Sequence, residues 1–341
     1  MNFKKILFSK SICLFILGLL KLFIQGGIVM KYIDLHCDTA WKMFYQGEKL
    51  KSNNYDIDIE KLRKGDALAQ TFAFFIDLKE IKSNPMIEFE LMYNNFIKEI
   101  QNNSKEIEIV TNIEELNVAA TNKKIGAFLA IEEGEVLEGD INNIKKVYNK
   151  GIRLITLTWN YNNSIGYSHL ESMNQKKGLT SLGIEMIREM ENIGIIPDAS
   201  HLSDEGFYDL VRECRKPFIV THSNSRFISN HSRNLTDDMI KLLSNKGGVM
   251  GLNFCSYFLG ENEISSIEDM IKHIKHIKNV GGIDVLALGS DFDGIENKVE
   301  IDNASEMGKL AFRLEKEGFT YDEIEKIYSK NVIRLFKEVL K

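Results

Sequence analysis

The stretch YIDLHCDT, residues 32–39, decides the fold. A short apolar run stops at His36-Cys37-Asp38, and a helix-compatible segment follows at once. A doubly wound open sheet would place a glycine-rich phosphate loop after its first strand, and none is present. Working outward, the same pattern recurs. Apolar runs at 71–78, 126–131, 152–158, 194–199, 217–221, 248–254 and 285–289 each end in polar residues and give way to a longer helical stretch. Continuous apolar runs of this length suit strands buried on both faces, as in a parallel sheet covered by helices. Leu182, Met186, Ile187 and Met190 keep helical spacing. Thr320-Tyr321-Asp322-Glu323 reads as a capping box opening a final helix. Eight βα units in this length predict an α/β fold of the (β/α)8 TIM-barrel type.

Composition agrees. The chain has 341 residues, 44% hydrophobic and 27% charged, with 24 Gly and 3 Pro, which excludes disordered and collagen-like classes. Net charge is −6, and because residues 1–30 hold four lysines and no acid, the rest of the chain is more acidic still. Such a body excludes a general nucleic-acid binder and favours cationic ligands, metals included. Cys13, Cys37, Cys214 and Cys255 lie far apart, so no disulfide framework is expected. Residues 1–29 form a signal-like or non-structural extension: a Lys4-Lys5 pair, then an apolar run that Lys21 interrupts too early to span a bilayer. The expected organisation is therefore this extension followed by one domain over 30–341. A cytoplasmic location is expected, with export or membrane anchoring through 1–29 as the alternative.

In a (β/α)8 barrel the active site is built at the C-terminal strand ends. Read in order, those ends carry His36 and Asp38, then Glu132, Trp159, His201, His222 and Asp291. His-x-Asp on a strand sets two ligand-type side chains on one face, about 6–7 Å apart at the backbone. Cys37 points the other way and reads as a buried strand residue. Imidazole and carboxylate together suit Zn²⁺ or another divalent ion. His201 and His222, on neighbouring strands, can meet at a second ion. A carboxylate after the third run can bridge the two, with Glu132, Glu133 and Glu135 all candidates. Taken singly, a strand-end histidine is an ordinary hydrogen-bonding residue, and Asp38 or Asp291 an ordinary helix cap. Six ligand-type residues on one rim require a common cause. Elsewhere, His273 and His276 in KHIKHIK read as a solvated lysine-rich face, and His231 as a loop residue.

These motifs resemble the membrane or renal dipeptidase family, peptidase family M19, in a bacterial-type form. The match runs from DLHCDT through IEEGE, LITLTWN, GLTSLG, PDASHLSD, PFIVTHSNSR, HSRNL and LGSDFDG to SKNVIRLF, covering about residues 32–337. The resemblance implies a metallo-dependent hydrolase barrel holding two zinc ions, with other divalent metals open. His36 and Asp38 would bind one ion, His201 and His222 the other, and Glu132 would bridge them. Asp291 would be the catalytic acid/base beside a metal-bridging hydroxide, and Arg233 would receive the terminal carboxylate of a small dipeptide substrate. A homodimer is also implied. Two departures bear on substrate range. Trp159 stands where many members have a substrate-contacting histidine, and Cys255 where an aromatic tyrosine is expected. Two rival readings follow: an amidohydrolase acting on a cyclic amide, β-lactam or N-acyl compound, or a non-catalytic barrel.

Overall fold

The computed structural model describes residues 30–170 and 172–341; the expectations for residues 1–29 lie outside the described residues. Among the described residues nine strands form, all parallel: β1 Tyr32–Asp34, β2 Ala67–Phe75, β3 Ile107–Ile109, β4 Ile125–Glu132, β5 Ile152–Thr156, β6 Ile196–Asp198, β7 Ile219–Val220, β8 Val249–Leu252 and β9 Leu286–Leu288. Pairing of β2 with both β1 and β4 closes eight of them into a barrel, in the order β1, β2, β4, β5, β6, β7, β8, β9. Each of the eight expected runs overlaps one barrel strand, although β2 begins at Ala67, four residues before the expected run.

The ninth strand was not expected. β3 pairs with Ile125–Ala127 at the start of β4, before β5 joins that strand from Leu129 onward. It extends the sheet outside the barrel rather than entering it.

Helices fill the intervals, most opened by a side chain that accepts a backbone N–H of the first turn. Thr180, Ser203, Thr236 and Ser266 do so, and Thr320 forms the expected capping box with Glu323. The run after Thr320 is helical to Val339 but widens into a π-turn at Lys326–Lys330. Among the described residues no helix is long and apolar enough to cross a membrane.

Two buried layers set the floor of the site. Leu154, Ile196 and Ile219 belong to one apolar cluster, against which Leu335 and Phe336 of the last helix pack. Two residues further along the same strands, on the same face by strand alternation, stand Thr156, Asp198 and Thr221. All three are buried. The barrel is thus apolar below and polar above, and its mouth is where the polar groups collect.

The lysine-rich stretch corrects one expectation. In the helix Ile267–Gly281, His273 is fully buried beside Met270, Ile274 and Ile277. Its Nδ1 accepts from Ser225 N at 3.1 Å, so Nε2–H donates to Leu259 O at 2.9 Å. His276 pairs with Asp237 at 2.7 Å and stacks on Phe227. Burial pushes the His273 pKa down to about 4, against the bond to Leu259, which raises it. An unfolded histidine protonates near 6.5, so between pH 7 and pH 4 the unfolded chain takes up a proton that the folded chain refuses. Stability present above 6.5 is therefore lost on acidification. In urea unfolding, wild type should lose up to ~3 kcal/mol across this range that His273→Gln does not lose. Parallel pH profiles for the two proteins would contradict this.

Candidate metal centre

The site residues expected from the sequence reach the barrel mouth from the ends of six strands or the loops behind them. His36 and Asp38 follow β1, Glu132 closes β4, Trp159 follows β5, His201 β6, His222 and Arg233 β7, and Asp291 β9. His36, Asp38, Glu132, His201 and His222 are all buried, and Asp291 is partly so.

Glu132 is at the centre and divides its two oxygens. Oε2 lies 3.3 Å from His36 Nε2, whereas Oε1 lies 3.2 Å from His201 Nε2 and 3.5 Å from His222 Nε2. His36 Nε2 is also 3.4 Å from Asp38 Oδ2 and 3.9 Å from Asp291 Oδ1. Three sets of candidate ligand atoms result, each within 4.8 Å: His36–Asp38–Glu132, Glu132–His201–His222 and His36–His222–Asp291. The neighbours Glu133 and Glu135 are excluded from this role by their bonds. Glu133, also buried, turns away at φ 104° and accepts from the backbone N–H of Trp159 and of Glu135, while Glu135 accepts from Ser164 N.

A fit to divalent metal follows from unmet bonding. His36 Nδ1 and Nε2 and Asp38 Oδ1 are buried with no hydrogen-bond partner. Such atoms are costly to leave unpaired, and an ion satisfies them together. The donor set, imidazole nitrogen and carboxylate oxygen, is that of Zn²⁺ and similar ions.

The ionisation pattern shows the same tension. Burial would lower the His36 pKa, but Glu132 and Asp38 outweigh it and hold it well above the ordinary value. Burial and then Glu132 push Asp38 up to about 7. Burial would raise Glu132, yet His36 and then the other two imidazoles beside it carry it well below the usual range. Burial, then Arg233, pushes His201 down to about 4; burial, then His36 and Arg233, takes His222 well down. Both shifts favour the neutral ring, the state that ligates.

Sequence reasoning missed the groups that hold the ligands. Asn253 donates to Asp291 Oδ2 at 2.9 Å, leaving Oδ1 toward His36. Asn160 Oδ1 accepts from His201 Nδ1 at 3.0 Å and lies 3.1 Å from Nε2 of the buried His169, whose Nδ1 meets Ser232 Oγ at 2.9 Å. Asn160 and Asn253 follow barrel strands and could have been found there; His169 sits in a long loop with no local signal. Arg233 is buried beside the cluster, over the Phe258 ring at 5.7 Å, with Nε and Nη2 unpartnered. Trp159 packs on Phe75 and Tyr161 and has its ring 6.2 Å from His201. Cys255 is buried and close enough to Asp291 for that carboxylate to raise its pKa after burial has done so.

A parallel barrel with such a rim defines a metal-dependent hydrolase. The chain belongs to the membrane dipeptidase family, peptidase family M19, whose model matches residues 28–341. It is thus a metallo-dipeptidase, a hydrolase of peptide bonds. It is 27% identical to an uncharacterised dipeptidase of Schizosaccharomyces pombe over 341 aligned residues, 90% of this chain and 80% of that protein. It is 31% identical to an uncharacterised Klebsiella pneumoniae protein from the pqqA 5′ region, over 63% of this chain and 83% of that one. A metallopeptidase from Rhodobacter sphaeroides, solved with a phosphinate mimic of L-Ala-D-Ala, shares the fold. Its TM-score is 0.85 at 20% identity, covering 92% of this chain and 100% of that one.

Gly294 is where the site has no slack. A Cβ there would lie 2.1 Å from Asp38 Oδ2 and 2.8 Å from Asp291 Oδ1. Both are side-chain ends, which can yield without unfolding the barrel. Gly294→Ala should therefore keep its melting temperature and lose about 10–100-fold in divalent-metal affinity, measured by chelator competition. Unchanged affinity would show that Asp38 does not hold metal.

Proposed function

We propose that the chain is a binuclear zinc dipeptidase, with His36 and Asp38 on one ion, His201 and His222 on the other, and Glu132 between them. The division of Glu132's two oxygens between two sets of imidazoles carries this reading. Two zinc ions there would supply Lewis-acid polarisation of the peptide carbonyl and a nucleophilic water of lowered pKa.

The chain's own residues do the rest. Asp291 Oδ1 faces the cluster while Asn253 fixes Oδ2, so one oxygen is free to take a proton and pass it to the leaving amine nitrogen. Burial raises the Asp291 pKa, which helps it hold that proton between the two transfers. Arg233, with two unpartnered donor nitrogens, offers a planar clamp to the substrate's terminal carboxylate. A carboxylate fixed one residue beyond the scissile bond selects dipeptides over longer chains. Trp159 contacts the substrate from the β5 side, where its indole can donate one hydrogen bond but cannot titrate. The catalytic unit in this reading is residues 30–341, with 1–29 an extension to it.

Protein purified without chelator should carry two zinc ions per chain and release amino acids from L,L- or L,D-dipeptides. No zinc after metal is added back would overturn the proposal. Asp291→Asn should lower kcat about 10²–10⁴-fold with zinc content unchanged. Wild-type turnover would remove Asp291 from the proton path. Arg233→Met should raise KM for dipeptides far more than for N-acyl amides lacking a free carboxylate, and equal effects on both would remove the clamp.

A further inference from the structure

We propose that Asp198 is a positioning residue for the metal centre: acting through Thr221, it keeps the His222 proton on Nδ1 and so presents the Nε2 lone pair to the cluster. The inference rests on the reading of His222 as a ligand. The proton count behind it does not.

Asp198, the last residue of β6, is fully buried. It accepts four hydrogen bonds. Oδ1 takes Ser200 N and Thr221 N, both at 2.9 Å, and Oδ2 takes Thr156 Oγ1 and Thr221 Oγ1, both at 2.6 Å. Four donors fill the lone-pair directions of a carboxylate and leave no acceptor for a proton of its own. Thr221 Oγ1 has one hydrogen and three neighbours: Asp198 Oδ2 at 2.6 Å, His222 Nδ1 at 2.8 Å and Ser200 Oγ at 3.2 Å. The carboxylate can only accept, so the hydrogen goes there. Toward His222 the hydroxyl then shows lone pairs, and Nδ1 must be the donor. A neutral imidazole has a single N–H, which leaves Nε2 bare.

His201 reaches the same state separately, since its Nδ1 faces Asn160 Oδ1 at 3.0 Å. The outcome is visible between the rings. His201 Nε2 and His222 Nε2 are 3.1 Å apart, with Glu132 Oε1 3.2 and 3.5 Å from them. Three lone pairs converge with no hydrogen among them, an arrangement that only a cation makes favourable.

Asp198→Asn reverses the polarity. A carboxamide can donate to Thr221 Oγ1, whose hydrogen then turns to His222 Nδ1 and forces the proton onto Nε2. The test is ¹⁵N NMR of histidine-labelled, metal-stripped full-length protein, with His222 assigned by its loss in His222→Gln. Wild type should show the Nδ1–H tautomer, and Asp198→Asn the Nε2–H tautomer. An Nε2–H tautomer in wild type overturns the proposal.

Because Asp198 also ties three strand ends together, Thr221 supplies variants that spare its other bonds. Zinc affinity by chelator competition should fall about 10–100-fold in Thr221→Val and stay within about threefold in Thr221→Ser. Equal zinc binding by wild type and Thr221→Val, or equal loss in Val and Ser, overturns the proposal. A wild-type chain that takes up no zinc overturns the metal reading instead, while the tautomer measured on that protein still decides the relay.

Discussion

The buried carboxylate of Glu132 is the constraint to which the rest of the molecule answers. Among the described residues no lysine or arginine lies within 4.0 Å of it; its close partners are three imidazoles. A charge withdrawn from water without a matching one is costly, and the surrounding groups shift their protonation to compensate. His36 is driven toward its cation, and Asp38 and Asp291 toward their neutral acids. For His36 and Asp38 these are the responses that the proposed metal reading expects of ligands without an ion. In the proposed binuclear centre, bound divalent cations would return His36 and Asp38 to the forms that coordinate, so the same burial that is unfavourable in the bare chain would favour metal.

The barrel supplies the convergence, and local backbone strain supplies the aim. A strand delivers its side chains alternately up and down, and that alternation is broken where three of the strands end at the mouth. Glu133, His201, Asp291 and Asp293 adopt positive φ there, at 104°, 67°, 63° and 70°. None is glycine, and each costs on the order of 1–2 kcal/mol. They follow β4, β6 and β9, the strands that deliver Glu132, His201 and Asp291. The bonds of Glu133 to Trp159 and Glu135, and of Asp293 to Thr39 and Asp56, show what holds the turns in place.

The barrel and its rim were legible because both rest on local patterns. Doubly buried strands must be apolar throughout, and the polar residue that ends each run falls at the mouth. What escaped was built by tertiary contact. β3 is three residues, IEI, too short for any period, and exists because β4 offers it an edge. His273 sits among lysines that pair outward with Asp269, Glu317 and Glu323, and only its register with Met270, Ile274 and Ile277 places it inside. Asp198 in PDASH was not singled out in the sequence. Its role appears only when Thr156 and Thr221 arrive from two other strands. The Asn160–His169–Ser232 chain joins the loops after β5 and β7, which no linear spacing relates.

Trp159 bears on how the work is divided. Its backbone N–H is held by Glu133 and its ring is wedged between Phe75 and Tyr161, so the indole is a fixed wall rather than a mobile contact. Phe75 is in register with Glu132 across β2 and β4, which sets that wall directly beside the Glu132 carboxylate. An imidazole at position 159 could both donate to a substrate oxygen and exchange protons with it; an indole can only donate. Proton exchange on that side of the mouth is therefore closed, and His169 and His201, held neutral by burial, do not reopen it. The remaining group with an oxygen free and a proton within reach is Asp291, on the opposite side, steadied by Asn253. In the proposed mechanism, an aromatic ring in place of a titratable one thus concentrates acid–base chemistry in one carboxyl and leaves the β5 side to recognise shape.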